Sequence, residues 1–154
     1  VIEELTSETI ERALPFYYAF RREVAAPYPD LFRPGPEGPA HFLRSWGALL
    51  ASGIGTILVA SDDAGPSGAL FATLTPDLFD GAPVATEHAW YVMPEARGGR
   101  TGAELLDAYE AWARKRGAAR VFLSHFVVGM PDLEGPFARR GFVPLEKHFL
   151  KAAR

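Results

Sequence analysis

The chain of 154 residues has no cysteine. That removes disulfides, thiolate metal ligands and cysteine nucleophiles together, and it fits a cytoplasmic location. Long apolar runs are also missing. The longest, Gly47 to Ala60, is broken by Ser52, Gly53 and Thr56 and is too short to span a bilayer, so no membrane association is expected. The opening Val1-Ile2-Glu3-Glu4 has neither a basic region nor an apolar run, so no signal peptide is expected. Charge of one sign is scarce: 16 basic against 19 acidic residues leave a net −3, a poor basis for a nucleic-acid partner. The histidines at 41, 88, 125 and 148 show no H-E-x-x-H or close H-x-H spacing, so no metal site is expected.

What remains is ordinary globular usage, with 48% apolar and 23% charged residues and no internal repeat. A chain this long reads as one domain over residues 1–154 and buries roughly 70% of its unfolded surface. Ile10, Ala13, Leu14, Tyr17, Phe20 and Val24 recur at helical steps after a Thr6/Ser7 cap, with Pro15 marking either a kink or the true start. Five prolines and two glycines make residues 27–39 a loop. Phe42, Trp46, Leu49 and Leu50 then share one helical face, stopped at Gly53. The period next shortens to a hairpin, Thr56–Ala60 and Gly68–Thr75 about a turn at 62–66, followed by a third strand from Ala85 to Val92 that ends before Pro94. A helix over Arg100–Arg116 carries Leu105, Leu106, Tyr109, Trp112 and Ala113 on one stripe, with Glu110 and Arg114 paired outside and Gly117 as its stop. Val121-Phe122-Leu123 suits a buried strand, 133–140 a short helix ended by Gly141, and Phe142–Lys151 a last strand. The order α-α-β-β-β-α-β-α-β predicts a mixed α/β domain.

The segment from Val92 to Leu106 carries the most chemistry. A strand ends, the turn Arg97-Gly98-Gly99-Arg100-Thr101-Gly102 follows, and an amphipathic helix begins. The first N–H groups of a helix lack partners and lie at the positive end of its dipole, so a glycine-lined turn with two arginines suits a phosphate. An ordinary turn with two solvated arginines is the plain alternative. The P-loop is excluded because Ala103-Glu104 follows Gly102, and G-x-G-x-x-G is excluded because the glycines fall at 98, 99 and 102.

The same segment resembles the acetyl-CoA-binding motif of the GNAT N-acetyltransferases, Gln/Arg-x-x-Gly-x-Gly/Ala, with Arg100 replacing its middle glycine. Phe137-Ala138-Arg139-Arg140-Gly141-Phe142 resembles the family's Tyr-x-x-x-Gly-Phe segment, and the likeness covers roughly residues 54–150. The resemblance implies a GNAT fold of α+β type: a central, mixed, mostly antiparallel sheet splayed at the acetyl-CoA site and flanked by helices. It implies acetyl transfer from acetyl-CoA to a primary amine of a small molecule or peptide, and it is compatible with a homodimer. Backbone amides from Arg97 through Gly98, Gly99, Arg100 and Thr101 to Gly102 would cradle the coenzyme diphosphate, with the Arg97 side chain nearby. Tyr91, Val92 and Met93 would pair with the pantetheine amides, and Phe137 would lie beside the arm. The two N-terminal helices fit the family's variable substrate lid, with Phe32, His41 and Trp46 as wall residues or plain core.

The acceptor amine must lose a proton before attack, which calls for a base of near-neutral pKa. Glu87 and His88 are adjacent on the third strand and point to opposite faces, so one of them faces the cleft with Thr86 or Trp90. The resemblance and strand parity favour His88, with Glu87 next; a half-buried histidine satisfied by a carbonyl is the alternative. Where the family places a tyrosine acid the chain has Phe137, so Tyr91, Tyr109 or water is left to protonate the thiolate. Ser124-His125 diverge as strand neighbours and form no direct dyad. Arg114-Lys115-Arg116 complement a helix C-terminus, and Arg139-Arg140 reach either coenzyme phosphates or solvent. Two rival functions share these features: a non-catalytic acyl-CoA-binding or protein-interaction domain, and a binder of some other phosphate ligand.

Overall fold

A computed structural model describes residues 1–25, 28, 29, 32, 33, 35–125, 132–151 and 153. Five strands form one open sheet in chain order: β1 (Ile2–Glu4), β2 (Gly55–Asp62), β3 (Gly65–Pro76), β4 (Pro83–Val92) and β5 (Arg120–Phe122). The first four are antiparallel neighbours, and β5 runs parallel to β4. The helices are α1 (Leu14–Phe20), α2 (Gly38–Ala51), α3 (Thr101–Lys115) and α4 (Glu134–Arg139).

Alternation along β2 and β3 sends side chains to two cores. Leu58, Ala60, Leu70 and Ala72 meet Leu105, Leu106, Tyr109 and Trp112 of α3 on one face. Ile57, Val59, Ala69 and Phe71 meet Ile10, Ala13, Phe16 and Ala19 on the other. Leu105 and Tyr109 are fully buried one helical turn apart, as their spacing requires. α2 buries no residue completely; it lies on the sheet through Phe42 and Trp46, whose rings sit 5.9 and 5.2 Å from Phe71.

The close approach of α3 to the sheet depends on Gly68. A methyl group there would meet Leu105 Cδ1 at 2.9 Å, Thr101 Cγ2 at 3.0 Å and the Tyr91 carbonyl at 3.1 Å. Gly68→Val is therefore expected to cost about 2–3 kcal/mol, read as a lowered urea midpoint with an unchanged m-value.

Several elements differ from the sequence reading. The first helix is broken: a 3-10 turn over Ile10–Ala13, then α1 with Pro15 in its first turn, then a π-helical turn over Arg21–Ala25. Pro15 has no N–H to donate, so it fits only where no intrahelical bond is required. The loop assigned to 27–39, part of which lies outside the described residues, ends earlier because α2 begins at Gly38. β1, unanticipated, is held by pairing with β2 and by the Leu5 N–H donating to the Ile57 carbonyl at 2.8 Å. Glu110 does not pair with Arg114; it accepts from Arg140 at 2.8 Å, a tertiary bond that ties α4 to α3. β5 is half-buried rather than buried. Phe142–Lys151 forms no strand: no ladder partner reaches it among the described residues, and Val143, Leu145, Phe149 and Leu150 are exposed.

Candidate functional site

The sheet opens between β4 and β5. Their ladder runs from Val84↔Arg120 to Thr86↔Phe122 and stops, so beyond Thr86 the β4 edge has no strand beside it among the described residues. At that fork Glu87 bridges the gap. Its Oε2 accepts from the Ser124 N–H at 3.0 Å and the Ser124 hydroxyl at 2.9 Å, giving the diverging backbone an acceptor it would otherwise lack. Glu87 is only 6% exposed, and desolvation pushes its pKa above the ordinary carboxylate value despite those two bonds.

His88 sits at a β-bulge. Phe71 pairs with Ala89 and Ala72 with Glu87, so His88 is the extra residue. Glu87 and His88 still face opposite ways, as parity requires, and His88 keeps the face of Thr86; the bulge takes it off the face of Trp90 and turns it toward α2. Its Nε2 hydrogen-bonds Thr73 Oγ1 at 2.8 Å and its ring lies 5.9 Å from Trp46, edge to face. Its partner is a side-chain hydroxyl, not a carbonyl. The residue stays exposed on one side, and partial desolvation lowers its pKa below the ordinary imidazole value.

At the end of β4 the chain turns through a 3-10 segment (Pro94–Ala96) into α3, which starts with no side-chain cap. Gly98 takes φ +80°, and a Cβ there would meet nothing within 4 Å, so the turn faces open space. A Cβ on Gly102 would meet Trp90 Cζ2 at 3.1 Å; that glycine lets the helix start lie against β4. Gly99 completes the turn, Thr101 opens α3, and the Arg100 side chain is 90% exposed, 3.3 Å from Glu104. Met93 donates its N–H to the Ser67 carbonyl at 2.9 Å, and Val92 packs toward α3. Open-edged strand, uncapped amides and a glycine cradle thus abut, and the donor set fits a diphosphate joined to an amide-bearing arm.

Not every expected residue lies in this arrangement. The Arg97 guanidinium turns from the glycine loop to Glu23 on the π-helical turn, with bonds of 2.7 and 2.6 Å. The Tyr91 hydroxyl donates to Glu23 at 2.6 Å, and its pKa is pushed up to about 12. The Tyr109 hydroxyl donates to the Phe122 carbonyl at 3.0 Å, and burial raises its pKa as well. Both phenols are committed to internal acceptors. Phe137 is buried among Trp90, His125 and Phe142, beside two buried nitrogens without partners among the described residues, Trp90 Nε1 and His125 Nδ1. Trp46 reaches His88; His41 faces solvent and contacts Ser45 at 3.3 Å, and Phe32 is held by its carbonyl to Arg21 at 2.6 Å. Arg140 binds Asp107 and Glu110 and is not free for a phosphate.

Sequence reasoning missed Glu23 and Thr73, and the parts that Ser124 and Gly68 play. No local pattern marks them, since each acts on a residue far along the chain. It also did not group His125, Asp132 and Glu134, whose ligand atoms fall within 4.8 Å of one another. Both carboxylates are exposed, and Asp132 already accepts the Glu134 N–H at 2.9 Å where α4 begins.

Glu87 also sets a pH dependence of stability. A carboxyl whose folded pKa is raised stabilises the fold below its unfolded pKa, and that contribution is lost as pH rises through the folded value. Glu87→Gln keeps both acceptor bonds without the charge. It is expected to raise Tm at pH 8 by about 2–4 °C, the shift about 1 kcal/mol brings in a domain of this size, and to change it little at pH 4.

Comparison with known proteins agrees with this geometry. The family model for the acetyltransferase (GNAT) family matches residues 17–142. A transcriptional regulator from Bacillus halodurans C-125 superposes with TM-score 0.73 at 23% identity, covering 97% of this chain and 99% of that one. An aminoglycoside acetyltransferase from an uncultured soil metagenomic sample gives TM-score 0.70 at 18% identity, covering 100% and 96%. Glucosamine-6-phosphate N-acetyltransferase from Arabidopsis thaliana gives 0.72 at 13%, covering 98% and 96%. Comparison with curated protein sequences gave no match. No helix among the described residues is long and apolar enough to cross a membrane. With a matching family model over most of its length and the forked sheet that this fold requires, the chain belongs to the GNAT acetyltransferase family.

Proposed function

We propose that the protein is an acetyl-CoA-dependent N-acetyltransferase acting on a primary amine of a small molecule or peptide, by direct attack in a ternary complex. The observation that carries this reading is the β4 edge beyond Thr86, unpaired among the described residues and lying against the uncapped start of α3. The coenzyme supplies an activated acetyl thioester. Gly98, Gly99, Arg100, Thr101 and Gly102 hold its diphosphate through backbone N–H groups. Val92 offers backbone pairing to its arm at the open edge, whereas Tyr91 and Met93 turn their backbone groups to β3 and flank it, and Phe137 packs beside that arm.

His88 takes the amine proton. Its lowered pKa keeps it neutral at pH 7, its ring is open to solvent, and Trp46 beside it forms one wall for the acceptor. His41 of α2 and Phe32 of the segment before it serve the outer rim. Glu87 is second as base; its burial and its bonds to Ser124 favour a role holding the fork open. In the balanced reaction the ammonium gives one proton to His88, the amine nitrogen bonds the acyl carbon as the C–S bond breaks, and the second N–H proton passes to water or to the departing thiolate. The thiolate, of pKa about 8.5 for a free thiol, leaves without an acid or takes a proton from water. No metal is needed in this scheme. The reading includes one domain over 1–154 and a cytoplasmic location.

Acetyl-CoA consumption across a panel of polyamines, aminoglycosides and peptide N-termini tests it. Turnover on at least one class supports the enzyme. Tight coenzyme binding with no turnover anywhere would assign a non-catalytic acyl-CoA-binding domain instead, and preference for ATP over CoA in calorimetry would assign another phosphate ligand.

A further inference from the structure

Arg97 opens the glycine turn, yet its guanidinium is fully engaged elsewhere. Nη1 and Nη2 donate to Glu23 Oε1 and Oε2, and Nε donates to the Val92 carbonyl at 3.0 Å. The guanidinium also lies 5.4 Å from the Tyr91 ring centroid, and the Tyr91 hydroxyl shares the same carboxylate. Glu23 belongs to the π-helical turn Arg21–Ala25, a distortion that re-aims side chains and recurs at functional positions. The Tyr91 carbonyl lies against Gly68 of β3, and carbonyls alternate along a strand. The Val92 carbonyl therefore points to the open edge, and Arg97 occupies it.

We propose that Glu23 is a positioning residue that latches Arg97 across the open end of the β4 edge, and that a diphosphate ligand draws the guanidinium off it. The exchange frees the Val92 carbonyl for the incoming arm and releases the Arg21–Ala25 turn on the acceptor side, so coenzyme binds before amine. Arginine pairs with phosphate in the same forked geometry as with carboxylate. The Arg97 and Glu23 side chains keep 38% and 32% of their surface exposed, so the tie is within reach of a competing anion. This inference rests on the coenzyme reading above and adds to it a residue from the other face of the sheet.

Calorimetric titration with CoA tests it in wild type, Glu23→Gln, Arg97→Ala and the double variant. Glu23→Gln is expected to bind CoA about 5–30-fold more tightly, with no gain from the same change in the Arg97→Ala background. An equal gain in both backgrounds is a plain charge effect and overturns the latch. Unchanged or weaker binding in Glu23→Gln, with wild type binding normally, also overturns it and leaves the coenzyme reading standing. Failure of wild type to bind CoA at all removes the coenzyme reading itself. Should Glu23→Gln fail to fold, Tyr91→Phe loosens the same carboxylate; it is expected to tighten binding about 2–5-fold, and no change overturns the proposal.

Discussion

His88→Ala is expected to lower kcat/KM for amine acetylation by about 10²–10⁴-fold while leaving CoA affinity within about twofold. The split follows from position. His88 projects from the bulge toward Trp46 and α2, whereas the glycine turn and the free β4 edge lie along the strand beyond it. Losing the imidazole removes the proton acceptor and leaves the coenzyme's backbone partners in place. The pH profile provides a second signature. A base acts only when unprotonated, and the imidazole pKa lies below its ordinary value, so kcat/KM is expected to be level near pH 7–8. It should fall tenfold per unit at pH values below that lowered pKa. If Glu87 were the base instead, its raised carboxylate pKa would define the acidic limb, and Glu87→Gln rather than His88→Ala would abolish it.

The second large effect is expected at Gly102. Its missing side chain brings the start of α3 against Trp90 and Val92 of β4. Gly102→Val forces the helix terminus outward by about an ångström, because the Trp90 ring behind it is itself packed on Phe137. The first-turn amides then no longer converge on one anion. CoA affinity is expected to drop about 10²-fold, measured by calorimetry, with helical content by circular dichroism unchanged.

How much of this was legible in the sequence depended on the range of each interaction. α3 and the β2–β3 hairpin announce themselves because their apolar periods are regular and local. The glycine turn was legible because its cause, a strand end meeting a helix start, lies within a few residues. β1 was not, because three residues with one apolar side chain carry no period and depend on β2 for partners. The bulge at His88 carries no glycine or other local mark, so parity holds from Thr86 to His88 and is lost beyond it, where Trp90 takes the other face. The Glu23–Arg97 tie joins positions 74 apart, which no window can foresee. Phe142–Lys151 has the composition of a strand, but a strand also needs an edge to pair with, and composition does not supply one.

The most direct measurement is a crystal structure of the protein with CoA. The account requires diphosphate oxygens on the N–H groups of residues 98–102 and pantetheine amides bonded along the β4 edge between Glu87 and Val92. Coenzyme bound elsewhere, with that edge closed by a strand or by side chains, would contradict it.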